Sequence, residues 1–353
     1  MLLLKKNLLI VLMCLSCLSL PVGAFEAAPQ VSARAGIVYH PASGQILWSE
    51  APHERRLIAS TTKIMTCLVA LEHGKLSDEV KISPHAAHVD GSSMYLQEGE
   101  TYTMEDLLYG LMLASGNDAA TAIAEHVAGG EEAFAALMNE KAESLGLRDT
   151  SFANPHGLDA ETHYSSAYDL ARLMAYAMER SDFREITGSR TCQVKGLTYV
   201  NHNKLLWQCE GVMGGKTGYT KKAGRALITV CQRGGERLIC VTLNDPDDWR
   251  DHPALYAWAY ANFKPKLLIA KDTRFAVPLV SEHDTKLYAE PLRDVQCFVR
   301  EDFVPQCRVE LPRFAYPPVH RGDKAGRVLV RLNGEPIGEI PLLYMEELPI
   351  RKK

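Results

Sequence analysis

The 353-residue chain reads as an α/β (more strictly α+β) domain followed by a small all-β domain. Three observations lead there. With 46% hydrophobic and 23% charged residues, the chain has enough apolar side chains for a globular protein with more than one core. Up to Pro265, segments with apolar residues at helical spacing interleave with short strand-like runs. Beyond Pro265 the helical spacing is lost: residues 273–345 hold short alternating runs such as Val328 to Leu332, followed by Asn333-Gly334, a strong hairpin turn.

In chain order, Lys5 and Lys6, the apolar stretch Leu8–Leu20 and the small residues Val22-Gly23-Ala24 make an export signal cleaved after Ala24. The apolar run falls short of the ~20 residues that span a membrane. The mature chain then divides at 25–265 and 266–353 and is expected outside the cytoplasm, in the cell envelope or secreted. Residues 34–40 and 45–50 flank a Pro41–Gly44 turn as a hairpin. A helix opens near Ser60, carries Ile64, Cys67, Leu68 and Leu71 on one face, and stops near Gly74. Residues 75–102 read as loops and short strands, with a turn at Asp90–Met94. Thr103 and Asp106 form a capping pair for the next helix, which ends at Ala114-Ser115-Gly116-Asn117-Asp118. Helices follow from Ala119, over 131–145 and over 167–178, with a tight Asn154-Pro155-His156-Gly157 loop between the last two. Residues 196–206 read as polar and irregular. Gly211–Thr220, 226–231 and 237–243 read as strands, and 253–263 as a helix.

Composition excludes some functions. A net charge of −4 with dispersed Lys and Arg gives no electrostatic case for nucleic-acid binding. Nine cysteines, less Cys14 and Cys17 in the signal, leave seven. An odd number in an exported chain implies a free thiol or an intermolecular bond. No C-x-x-C pair supports a metal site, and no cofactor is implied.

The chemistry is carried by three short motifs. Ser60 and Lys63 stand three apart and so share a helix face. A serine hydroxyl needs an adjacent base to act as nucleophile. A lysine serves only when neutral, so its pKa must fall from about 10.4 by roughly 3, or ~4 kcal/mol. Burial, a second cation and a helix N-terminus can each push it down. Alone, S-x-x-K is weak: about one or two matches are expected by chance in such a chain. Ser115-Gly116-Asn117 alone is an ordinary helix-linking turn. Lys216-Thr217-Gly218 lies on a glycine-rich strand, where glycine marks close approach of another group. The three in this order are far more specific than any one.

This set, with Ser-Asp-Asn in the middle position, marks penicillin-interacting serine enzymes. Together with Ile58–Met65, Leu107–Ala119, Phe152–Asp159, Tyr164–Leu170 and Gly214–Thr220, it makes the chain resemble the low-molecular-mass penicillin-binding proteins that are serine-type D-alanyl-D-alanine carboxypeptidases. The resemblance covers about residues 33–265 and extends to the β domain. It implies the fold shared with serine β-lactamases, an antiparallel sheet flanked by helices. It implies cleavage of the terminal D-alanine from peptidoglycan stem peptides through an acyl-enzyme, with β-lactams as inhibitors; β-lactamase or D,D-endopeptidase action would use the same site. Ser60 would be the nucleophile, Lys63 its base and Ser115 the proton relay. Asn117 would hold Lys63 and the substrate amide. Lys216, Thr217 and Gly218 would bind the substrate's C-terminus, and the Tyr219 and Ser60 backbone N–H groups would form the oxyanion hole. Arg250 matches loosely an arginine that binds carboxylate in relatives. Tyr219 is a departure, since relatives vary after K-T-G. The E-x-x-L-N loop of class A β-lactamases is not seen between Asn117 and Lys216. Relatives often continue into an amphipathic membrane helix; here Pro341–Lys353, interrupted by Pro349, cannot form one. Release, or retention at membrane or wall by other means, is the expectation.

Overall fold

A computed structural model of the chain describes residues 27–280, 286–300, 303–332 and 334–349. The expected export signal over 1–24 lies outside them. In order, β1 (Ala35–His40) and β2 (Gln45–Glu50) precede a 3-10 turn (Ala59–Thr62) that runs into α1 (Lys63–His73). Then come β3 (Glu79–Lys81), α2 (Pro84–Ala87), β4 (Thr101–Thr103), α3 (Met104–Leu113), α4 (Asn117–Ala128), α5 (Glu131–Ser144), α6 (Ala167–Ala177) and α7 (Ser181–Gly188). A hairpin of β5 (Thr191–Val194) and β6 (Leu197–Val200) leads to the single turn α8 (Leu205–Gln208). Next are β7 (Val212–Thr220), β8 (Gly224–Arg233), β9 (Glu236–Leu243) and α9 (Asp248–Asn262). The remainder is β: β10 (Lys264–Ile269), β11 (Phe275–Pro278), β12 (Lys286–Pro291), β13 (Val295–Val299), β14 (Gln306–Glu310), β15 (Lys324–Leu332) and β16 (Glu335–Tyr344).

The main sheet is antiparallel, in the order β2-β1-β9-β8-β7. Strand alternation sends Ile37, Tyr39, Ile228, Val230 and Val241 into a core shared with α1, α3, α4 and α6, and sends Val38, Leu227, Cys231 and Cys240 to the other face against α9. The sheet is thus flanked by helices on both faces. The later strands build a second antiparallel sheet, β11-β12-β16-β15-β14, around a separate core. β16 continues to Tyr344, and Leu348 bridges to Val319, so no helix forms over residues 341–349; 350–353 lie outside the described residues. Leu332 pairs with Glu335 across the expected hairpin turn; Gly334 has φ +87°, and Asn333 lies outside the described residues.

The Thr103–Asp106 capping box is present in full. Three elements differ from the sequence reading. Residues 196–206 are not irregular: Lys195 and Gly196, both at positive φ, make a two-residue turn of the kind that closes tight hairpins. Buried Tyr199 fastens that hairpin by donating from its hydroxyl to Met94 O at 2.8 Å. α9 starts at Asp248, ahead of Pro253, which the helix accommodates near its start. α1 carries no one-sided stripe: every residue from Lys63 to Leu71 is buried. A helix apolar on all sides belongs in an interior, and its first residue goes there with it.

Asp118, buried in the first turn of α4, ties down the 92–96 loop. Its carboxylate accepts from Met94 N (3.0 Å), Leu96 N (3.1 Å), Ser93 Oγ (2.6 Å) and its neighbour Ala119 N (2.9 Å). Hydrogen bonds to a charged group contribute about 1.5–3 kcal/mol each, and a partner left buried without one costs ~1–3 kcal/mol. Asp118→Asn is therefore expected to lower unfolding stability in urea by roughly 3 kcal/mol. A midpoint unchanged from wild type would show that the carboxylate does not anchor the loop.

Candidate active site

The turn before α1 is held in a costly conformation. Ala59 has φ +47°, a region that disfavours any side chain. It is braced from three sides. Thr62 Oγ1 donates to Ala59 O (2.8 Å) and receives a hydrogen bond from His163 Nε2 (2.7 Å). Because Ala153 N donates to His163 Nδ1 (3.0 Å), the ring proton sits on Nε2. Burial, with His156 and Lys63 nearby, lowers the His163 pKa to about 4, so the ring stays neutral. Gly157, at φ +92°, lies so close that a Cβ there would come within 2.0 Å of Ala59 O. β7 closes the third side: a Cβ on Gly218 would sit 3.1 Å from Ser60 N. Glycine in the K-T-G strand thus lets the serine turn approach closely, where a side chain would be tight.

Ser60 is half-buried at this turn, and Lys63, one turn on, is fully buried. Lys63 Nζ lies 3.0 Å from Ser60 Oγ, 2.7 Å from Asn117 Oδ1 and 2.6 Å from His156 O. Burial, and next the charge of Lys216, hold its pKa well below the ordinary lysine value. Lys216, on β7, is also buried, and burial alone pushes its pKa down to about 7. Its Nζ donates to Ser115 Oγ (3.1 Å) and Thr217 O (3.0 Å). Two ammonium groups buried this deep disfavour each other's charge, and Lys63 is held well below the ordinary lysine range by burial and by that repulsion. Ser115 adopts φ +61° in the link between α3 and α4, a conformation that sets its hydroxyl beside Lys216. Asn117 is fixed at its other end by donating from Nδ2 to Asp90 O (2.7 Å).

Ser60, Ser115, Thr217, Gly218 and Tyr219 line one pocket of about 300 Å³. Lys63, Asn117 and Lys216 lie beneath it through the bonds above. All eight residues singled out from the sequence therefore converge. Tyr219 points largely to solvent, 65% exposed. Arg250 does not join them: it is exposed and paired with Asp247 (3.2 Å) and Asp251 (2.9 Å). The arginine on the pocket is Arg225, which chelates buried Asp248 (2.7 and 3.1 Å) and stacks 5.1 Å from the Trp249 ring. The sequence reading also missed the carbonyl of His156, because a backbone acceptor carries no side-chain signature; the Asn154–Gly157 loop was its only trace.

An antiparallel sheet between helices, a serine at a helix start and two buried lysines beside it define a serine peptidase of the penicillin-binding kind. The chain belongs to the D-alanyl-D-alanine carboxypeptidase family, whose model matches residues 23–247. It is similar to the D-alanyl-D-alanine carboxypeptidases DacF of Bacillus subtilis (32% identity; 90% of this chain, 86% of the relative) and DacC of Escherichia coli (32%; 91% and 85%). Among solved structures it is similar to penicillin binding protein 5 from Haemophilus influenzae, with a TM-score of 0.80 and 28% identity over 92% of this chain and 100% of that one. Penicillin binding protein 6B from Escherichia coli aligns with a TM-score of 0.70 and 28% identity over 90% and 97%. Family members act on peptidoglycan peptides and bind β-lactams.

Gly157→Ala tests the bracing of the turn. A side chain at φ +92° against Ala59 O must displace the backbone that presents Ser60. We expect a loss of about 1–3 kcal/mol in stability and slower capture of labelled penicillin. Wild-type values for both would show that the contact is slack.

Proposed function

We propose that the chain removes the terminal D-alanine from peptidoglycan stem pentapeptides through an acyl-enzyme on Ser60. One observation carries the assignment of roles: the Lys63 amine is enclosed by three oxygens, one of them Ser60 Oγ. A neutral amine has two N–H bonds and one lone pair. Asn117 Oδ1 and His156 O take the N–H bonds, which leaves the lone pair for the Ser60 O–H.

As Ser60 Oγ attacks the carbonyl carbon of the penultimate D-alanine, its proton passes to Lys63 Nζ. The oxyanion is held by the backbone N–H groups of Ser60 and Tyr219. Collapse breaks the C–N bond, and Ser115 relays a proton to the departing D-alanine nitrogen. Lys216 and Thr217 hold that residue's carboxylate. Water then cleaves the ester and restores Ser60 Oγ–H. A β-lactam enters by the same attack, with its ring amide as the broken bond.

We further propose that residues 25–265 form the catalytic unit and 266–353 a β-rich unit, and that the protein works outside the cytoplasmic membrane, held at membrane or wall peripherally if at all. No helix among the described residues is long and apolar enough to cross a membrane.

Release of D-alanine from diacetyl-Lys-D-Ala-D-Ala, compared between wild type and Ser60→Ala, tests the reading. The variant is expected to lose at least ~10⁴-fold in kcat, as removal of a nucleophile does elsewhere, and to form no penicillin adduct. A wild-type adduct that persists fits a carboxypeptidase; rapid turnover of penicillin would make the chain a β-lactamase instead.

The pH profile follows from the two lysines. At acid pH Lys63 gains a proton and acylation stops. As pH rises through about 7, Lys216 loses its charge and with it the attraction for the carboxylate. The basic limb of kcat/KM is therefore expected near 7. In kcat the same limb moves upward, because bound carboxylate favours the charged amine. A basic limb that Lys216→Met leaves in place would assign it to another group.

A further inference from the structure

Next to the catalytic pocket lies a groove of about 1000 Å³, more than three times as large. The two share Ser92, His202 and Lys204, so a ligand can run from one into the other. The groove is walled by Leu197 and Val200 from β6, Trp207 from α8 and Tyr95 from the loop that Asp118 anchors. These side chains are 54%, 53%, 46% and 76% exposed. Large apolar groups gathered on one open groove mark a binding surface.

Its charge is one-sided. No Asp or Glu lines it, and its cation is Lys204, at the junction with the catalytic pocket. No ion pair reaches the Lys204 ammonium among the described residues. Nearby Lys195, by contrast, is matched by Glu100 at 4.0 Å.

The substrate's direction follows from the pocket's other end. There the K-T-G strand and Arg225, paired across β7 and β8 with Tyr219, supply groups for the leaving residue's carboxylate. The acyl part of the peptide must leave Ser60 by another exit, and the groove at Ser92, His202 and Lys204 is the large one.

We propose that this groove receives the side chain of the residue preceding D-Ala-D-Ala, and that it selects a long methylene chain ending in a carboxylate over one ending in a free amine. In stem peptides that means diaminopimelate, whose far carbon bears a carboxylate beside its amine, in preference to lysine, which ends in the amine alone. The inference rests on the carboxypeptidase reading of Ser60. The methylenes lie on Trp207 and Leu197, and the distal carboxylate meets Lys204. A lysine amine in the same place finds a like charge and no acid, which disfavours it.

The test is D-alanine release from acetyl-X-D-Ala-D-Ala, with X as 2-aminopimelate, lysine or alanine. The first two have the same four methylenes and differ only in the terminal group. The wild type is expected to favour 2-aminopimelate over lysine by about tenfold in kcat/KM, mostly through KM. Lys204→Gln should bring that ratio close to 1. Trp207→Ala should shrink the advantage of 2-aminopimelate over alanine, and labelled-penicillin capture reports that each variant has a folded site. Lysine equal to or better than 2-aminopimelate in the wild type overturns the inference without touching the carboxypeptidase reading, as does a preference that survives both substitutions. No release from any of the three peptides overturns the carboxypeptidase reading, and this inference falls with it.

Discussion

An amine buried out of reach of water, within 3 Å of a serine hydroxyl and close to a second buried amine, is the constraint on which this molecule turns. In water Lys63 would be an ammonium and useless as a base. Reaching neutrality takes free energy that the folded interior has to supply, through burial and the charge of Lys216, while other parts of the fold hold the amine in place. α1 is buried from its first residue, which removes solvent. The carbonyl of the 154–157 loop and Asn117 of α4 accept from Nζ and orient the amine, without lowering its pKa. β7 brings Lys216 alongside. Apart from α1, these elements are far from Ser60 in sequence, so this environment of Lys63 exists only once the domain has folded.

The backbone around the serine shows where some of that folding free energy is spent. Ala59 and Ser115 both carry side chains at positive φ. Conformations of this sort cost of order 1–3 kcal/mol and persist only where neighbours over-determine them. At Ala59 the neighbours are Thr62 and the neutral ring of His163, then Gly157 and Gly218. His163 thus belongs to the site as a brace: its low pKa keeps the ring neutral, and the bond from Ala153 N fixes which nitrogen carries the proton. The neutral ring matters because a protonated one would put a further positive charge near Lys63 and lose its bond from Ala153 N.

Much of this was legible in the chain itself. Ser60, Lys63, Ser115, Asn117, Lys216 and Thr217, brought together by the fold, carry side chains whose chemistry and spacing announce them, and Gly218 is marked by the absence of one. Helices and strands with clean periodicity, such as β1, β2, α5 and α6, follow from local pattern. What was not legible depends on tertiary context. The stripe on α1 reads as a surface helix, because Thr62, Lys63 and Thr66 look polar; only the structure puts them inside, with Thr66 Oγ1 donating to Pro155 O at 2.5 Å. The β5–β6 hairpin hides among polar residues because Lys195, an unusual residue at positive φ, opens its turn. Arg225 and Arg250 cannot be told apart by motif. Their difference lies in which acid holds each: buried Asp248 pins Arg225 on the pocket, whereas Asp247 and Asp251 hold Arg250 at the surface.

The β-rich part meets the rest at a place that explains why it leaves the pocket alone. Its contacts fall on the β1–β2 turn and the end of α9: the Phe298 ring stacks on His40 at 4.9 Å and packs against Tyr260 and Phe263, Phe298 N donates to Gln45 Oε1 at 2.9 Å, and a Cβ on Gly338 would approach Ser43 O to 2.8 Å. β1 and β2 form one edge of the main sheet and β7, with Lys216 and Thr217, forms the other. The full width of the sheet therefore separates this junction from the serine. His40 is tied to Ser43 in that turn and to Glu236 at the start of β9, and burial lowers its pKa, which keeps the ring that stacks on Phe298 neutral. A domain fastened to the far edge can set where the enzyme sits without altering the dry pocket in which Lys63 is kept neutral.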